Sequence, residues 1–167
     1  MSVVEDFETQ VSGYGRNYGP AILFDWWYFG KLTRDDLRAV IGGVWSGAEY
    51  PSRSLGQADW VGLFRKVGFV SDTGQPPPTE PMTVHRGTSW GRRRGMAWTT
   101  DEAVAGWFAD RYRRMGLEAM VFTVTVEPGA VLAMLAEERN ESEVVVDPFM
   151  LPPVRRPSSA WRGTRKR

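Results

Sequence analysis

The sequence contains no cysteine, which excludes disulfides and thiolate-held metal sites. It contains one histidine, His85, so a multi-histidine metal site is excluded as well. No apolar run reaches the roughly 18 residues that suggest a membrane span. The longest apolar stretch, Ala21 to Phe29, is interrupted by Asp25. The first residues, Met1-Ser2-Val3-Val4-Glu5-Asp6, lack the basic start of a secretory signal. These absences together lead to the expectation of a cytoplasmic protein with no membrane partner. Glycine-rich dinucleotide or Walker-type phosphate loops and internal repeats are also missing.

What is present is globular in character. Hydrophobic residues make up 42% and charged residues 25%, which fits neither a disordered nor a fibrous chain. At 167 residues the expectation is one folded unit, or a domain with a small helical appendage. Eight tryptophans supply large aromatic surfaces for a core or for stacking. Net charge is only +1, but it is unevenly spread. Residues 151–167 carry Arg155, Arg156, Arg162, Arg165, Lys166 and Arg167 with no acid, whereas residues 1–150 carry 15 basic against 20 acidic side chains. A tail of this kind is either a solvated terminus or a contact for nucleic acid or an acidic partner.

Residues 1–20 are polar and glycine-rich and read as an irregular lead-in. Ala21 to Gly30 is apolar on every side, which predicts a buried helix ending at Gly30. Thr33 with Asp36 three residues later is a capping signal, and Leu37, Val40, Ile41, Val44 and Trp45 recur at helical spacing after it. A further helix is predicted over Gln57 to Val67, with Trp60, Val61, Phe64 and Val67 inward. Ser71 to Pro81 holds four prolines and separates this helical region, 1–70, from the remainder. Beyond it the pattern predicts strands at Met82 to Arg86 and Met96 to Thr99. A helix capped by Thr100 follows, with Val104, Trp107, Phe108 and Tyr112 on its apolar side. Strands at Ala119 to Val126, from Ala130 to Leu135 and at Glu141 to Val146 complete the core over 82–150. The basic tail, 151–167, ends the chain.

The Glu141-Ser142-Glu143 stretch is where chemistry is expected. In an extended strand, residues two apart share a face, so both carboxylates would lie in one small volume. Such a pair favours a bound positive charge or one raised pKa, and suits a site that stabilises a developing cation. An exposed edge strand that happens to carry two glutamates is the alternative. Three pieces stand in order along the core: His85-Arg86-Gly87-Thr88, then Gly95-Met96-Ala97-Trp98-Thr99-Thr100, then Glu141-Ser142-Glu143.

With these pieces the sequence resembles the ADP-ribosyltransferase superfamily, in the branch marked by an Arg on the first core strand, Ser-Thr-Ser on the next and Glu-x-Glu on a later one. AWTTDEAVAGWFA is similar to that family's strand running into a helix, and VFTVTVEPGAVLAM to its central hairpin. The helical residues 21–70 resemble small proteins of actinobacterial phages, which would put the protein in a host cytoplasm. The fold implied is α+β, an N-terminal helical layer packed on an ADP-ribosyltransferase-like split β-sheet core. The activity implied is transfer of ADP-ribose from NAD, used as a substrate and without a metal, to a macromolecular acceptor. A protein arginine is the acceptor the Glu at position 141 favours.

The resemblance also implies roles. Glu143 faces the oxocarbenium-like ribose, Glu141 positions the incoming guanidinium, and Arg86 offers a fork to the pyrophosphate. Gly87 admits the nicotinamide amide to the backbone, and Trp98 or Phe108 stacks on a ring of NAD. His85, Thr88, Ala97 and Thr99 complete the cofactor-binding set. Ala97 stands where the family has its first serine, and this favours a runner-up reading: an inactive member of the fold that binds a nucleotide or a host partner. A nucleic-acid-binding module that uses the tail, Arg92-Arg93-Arg94 and exposed tryptophans is a third.

Overall fold

The computed structural model describes residues 1–136 and 142–158. In chain order the elements are α1 (Val3–Tyr14), α2 (Gly19–Tyr28), α3 (Arg34–Gly47), α4 (Pro51–Ser54), α5 (Gln57–Val67) and β1 (Val70–Ser71). There follow β2 (Met82–Ser89), β3 (Ala97–Thr99), α6 (Glu102–Arg114), β4 (Ala119–Val126), β5 (Val131–Leu135) and β6 (Glu143–Val146). The protein is a mixed α+β fold. It divides into two units: Met1–Pro77 together with the chain from Leu132, and Pro78–Val131 together with described residues 142–158. The division lies inside the proline-rich stretch, and most of β5 goes with the helical unit rather than with the strands around it in sequence. Among the described residues no helix is long and apolar enough to cross a membrane.

The helical unit starts with a correction. Residues 3–14 form a helix rather than an irregular lead-in, because Ser2 and Glu5 make a reciprocal cap. The Glu5 amide donates to Ser2 Oγ at 3.2 Å and the Ser2 amide to Glu5 Oε2 at 2.6 Å. Phe7 seals this helix against Trp26 of α2, edge to face at 5.5 Å, and Trp26 Nε1 donates to Gln10 Oε1 at 3.0 Å. A second correction concerns α2. Its buried residues are Gly19, Pro20 and Leu23, whereas Tyr28 and the following Phe29 are about 70% exposed. One side of the helix suffices for packing against α1 and α3, and the aromatics on the other side face water.

Helix α3 carries the expected stripe of Leu37, Val40, Ile41, Val44 and Trp45, all buried. Trp45 meets Trp60 of α5 edge to face at 4.9 Å, and Phe64 closes the cluster. Arg34 Nε and Arg38 Nη1 donate to the Lys66 and Val67 carbonyls, satisfying the end of α5. Strand β1 pairs parallel with β5, Val70 opposite Ala133, and α3 approaches this pair at Gly42, where a Cβ would lie 3.3 Å from Leu135 Cδ2.

The Thr33 cap is directly testable. The Asp36 amide donates to Thr33 Oγ1 at 3.1 Å, and the Thr33 amide and hydroxyl both donate to Asp36 Oδ2. These bonds hold the Asp36 carboxyl below its ordinary value of 3.8. The contribution of the ionised carboxylate is therefore complete above that range and is lost as pH falls through the depressed folded value. Thr33→Ala removes an N-cap, a change that typically costs about 1 kcal/mol. Denaturant melts should show the deficit narrowing only below about pH 4, where Asp36 begins to protonate in the unfolded chain while the cap still holds it ionised in the folded one.

In the second unit the strands are antiparallel, in the order β6, β3, β2, β4. Strand β2 runs longer than its sequence pattern suggested, because it pairs with β4 along its whole length, from Met82 opposite Val126 to Ser89 opposite Ala119. Helix α6 lies on this sheet, and its N-cap is Asp101 rather than Thr100: Asp101 Oδ1 accepts from the Ala103 amide at 2.9 Å. Its inward face is also corrected. Ala105 and Ala109 are the buried residues, while Trp107 is about half exposed. The reason is Gly87, where a Cβ would overlap the Ala105 carbonyl and lie 2.6 Å from the Ala109 nitrogen. Helix and strand backbones approach too closely here for any residue larger than alanine to face inward.

Candidate active site

Strand register assembles the site. His85 of β2 lies opposite Thr99 of β3, and Thr99 lies opposite Glu143 of β6. Directly opposed residues of antiparallel strands share a face. On the other side of β2, Thr123 of β4 opposes His85. A row Thr123, His85, Thr99, Glu143 therefore crosses four strands. His85 and Glu143 are two strand spacings apart at the backbone, roughly 10 Å. The His85 Nδ1 and Thr123 Oγ1 atoms are 2.8 Å apart, so Thr123 orients the imidazole. Thr99 is buried, and its Oγ1 accepts from the Asp101 amide at 3.0 Å, which ties the strand end to the start of α6. Glu143 is partly buried at the first position of β6.

Arg86, the residue after His85 on β2, is partly buried. Its Nη1 donates to the Ala97 carbonyl at 2.7 Å and its Nε to the Arg92 carbonyl at 3.2 Å, while the guanidinium covers Gly95 so closely that a Cβ there would overlap it. Burial pushes the Arg86 pKa down; the Tyr112 and Glu143 side chains oppose that shift and Arg92 adds to it. Arginine remains charged throughout the physiological range, so the group stands as a fixed cation in the field of the Glu143 carboxylate.

Other residues expected at the site have different positions. Trp98 is 2% exposed, with its indole Nε1 donating to the Gly95 carbonyl at 2.9 Å. It is a core residue and not a stacking platform. Thr88 is buried as well. The missing Cβ of Gly87 is explained by the approach of α6. Phe108 is partly buried and meets Trp107 edge to face at 4.9 Å. Ala97 is partly buried and lies opposite Val145.

Glu141 lies outside the described residues. Strand β6 begins at Glu143, and Ser142 has a φ of 46°, in the left-handed region.

Two residues of the site were not evident in the sequence. From the sequence Tyr112 belongs to the apolar side of a helix, and Thr123 is simply part of the strand over Ala119 to Val126. Alternation gave Thr123 a face, but only the β2–β4 register sets it beside His85. Among the described residues no group of three or more His, Asp or Glu side chains comes together to hold a metal ion. Compared with known protein families, curated proteins and solved structures, the chain matches none.

Proposed function

We infer that the protein is an NAD-dependent ADP-ribosyltransferase acting on a macromolecular acceptor, with arginine as the modified side chain. The observation that carries this reading is the register that lines up His85, Thr99 and Glu143 across three adjacent strands. It agrees with the sequence resemblance in bringing the Arg, Thr and Glu pieces onto three neighbouring strands. The ADP-ribosyltransferase-like form of the core belongs to the same proposal.

In the reaction the bond between nicotinamide and ribose C1′ breaks, and nicotinamide leaves with the electron pair. An acceptor guanidinium nitrogen bonds to C1′ and gives up a proton. Positive charge on the ribose peaks between these events. A carboxylate at Glu143 stabilises that charge more strongly than it stabilises the substrate, which is the requirement for lowering the barrier. Arg86 supplies positive charge for the diphosphate through the donors its two carbonyl bonds leave over.

A second reading, an inactive protein that binds a nucleotide or host partner at the same site, is favoured by Ala97, which offers no hydroxyl, and by the two Arg86 donors already engaged. The test is incubation of the purified chain with adenine-labelled NAD and host lysate. Nicotinamide release with label on protein is expected. No release, together with NAD binding on calorimetry, would favour the second reading. Absence of both would reject the site.

A further inference from the structure

The run Arg92-Arg93-Arg94 takes no part in the proposed reaction. Its loop is joined to the chain after β6 across about 60 residues of sequence. Arg94 donates to the carbonyls of Pro148, Leu151 and Pro152 at 3.1 to 3.3 Å, and Arg93 Nε to that of Val154 at 3.2 Å. These bonds strap residues 148–154 against the loop. The strap delivers Arg156 to Trp90: the Arg93 Cζ lies 3.7 Å and the Arg156 Cζ 4.7 Å from the centre of the indole ring, which is 37% exposed.

The two segments brought together have no negative charge of their own. There is no acid between Glu80 and Asp101, and none after Asp147. One carboxylate reaches the corner from elsewhere, Glu118, 3.7 Å from Arg156 and largely exposed. The Arg92 and Arg155 side chains are exposed and make no hydrogen bond or ion pair among the described residues, the Arg92 carbonyl alone accepting from Arg86. The strap thus uses Arg93 and Arg94 for structure, holds Arg93 and Arg156 over the Trp90 ring, and leaves Arg92 and Arg155, their neighbours in sequence, as exposed cations.

We propose that this corner, Trp90 with Arg92, Arg93, Arg155 and Arg156, binds single-stranded nucleic acid. Free guanidinium groups meet backbone phosphates, and planar guanidinium groups held over an indole present flat surfaces on which unpaired bases stack. A base-paired duplex offers phosphates without accessible base faces, so the aromatic element argues for the single strand. The proposal stands on residues separate from the transferase reading and does not depend on it.

The test measures binding of a fluorescent oligouridine of about 20 nucleotides to the full chain across a salt series. One variant is R92Q/R155Q/R156Q. Another replaces Arg162, Arg165, Lys166 and Arg167 with glutamine. Removing three phosphate contacts should lower the slope of log K against log salt by about 2 and weaken low-salt binding about tenfold or more. Melting of that variant should match wild type, since the strap bonds of Arg93 and Arg94 are kept. A duplex of the same length should bind more weakly than the single strand. Failure of the wild-type chain to bind, binding unaffected by R92Q/R155Q/R156Q and lost only in the tail variant, or equal affinity for duplex would each overturn the proposal.

Discussion

Glu143→Gln is expected to reduce NAD cleavage by about 10²- to 10³-fold while the protein stays folded, the scale seen when one preorganised electrostatic contact to a transition state is removed. Glutamine keeps the volume and hydrogen-bonding reach of glutamate and discards only the charge. The loss should fall mainly on kcat, because the carboxylate opposes a charge present in the transition state and nearly absent in bound NAD. Folding should be spared for a structural reason. Glu143 opens a strand whose next three residues, Val144, Val145 and Val146, are fully buried and hold β6 in place. Arg86 loses an opposing charge but retains its bonds to the Arg92 and Ala97 carbonyls. Nicotinamide release measured beside a thermal melt checks both halves. Full activity in the variant would remove Glu143 from the mechanism, and a collapsed melt would make it a structural residue.

Gly87→Val should be the most damaging single change in the second unit. A Cβ at Gly87 has no space, because it would overlap backbone atoms of α6 rather than the flexible end of a side chain. The helix would have to lift from the sheet and uncover Ala105, Ala109 and the apolar residues of β2 and β4 beneath it. The expected cost exceeds about 4 kcal/mol, a large part of the ~5–15 kcal/mol that stabilises a typical domain. The control is Gly106→Ala in the same helix, where a Cβ meets nothing within 4 Å. Relief of the glycine entropy penalty there should raise stability by about 0.5–1 kcal/mol. Urea denaturation of the two variants side by side distinguishes a steric requirement at Gly87 from a general sensitivity of α6. Wild-type stability for Gly87→Val would contradict the close helix–strand approach.

Much of the helical unit was legible because its signals are local. Thr33 with Asp36 marked the start of α3, five apolar residues at helical spacing marked its buried face, and α5 spans the residues its periodicity indicated. Helix α1 was missed although its marker was present: Ser2 and Glu5 form the same kind of cap as Thr33 and Asp36. The glycines that follow at 13, 15 and 19 outweighed it, yet Gly15 serves as the end cap of the helix, with a φ of 99°. For α2 the density of aromatic residues suggested burial on all sides. Composition states how much apolar surface a helix has and does not state how much of it finds a neighbour.

In the second unit the alternation of β4 and the order of the motif-bearing strands could be read directly, since both depend on residues near one another in sequence. The apolar side of α6 could not. Periodicity favours the larger residues, Trp107 among them, and the deciding fact was Gly87, 18 residues before Ala105, which demands small residues opposite it. The same limit applies to charge. Arg92, Arg93 and Arg94 look alike as letters, yet the Arg93 and Arg94 side chains hold carbonyls about 60 residues away while the Arg92 side chain makes no hydrogen bond among the described residues. The sequence by itself determined where most helices and strands lie and which residue types stand near the motifs, because caps, periodicity and turn residues act over a few positions. Only the tertiary structure decided that His85, Thr99 and Glu143 form one row, that Trp98 lies in the core and that the arginine loop straps the C-terminal segment. Strand register and helix–sheet distance depend on contacts between distant parts of the chain, and local pattern carries no record of them.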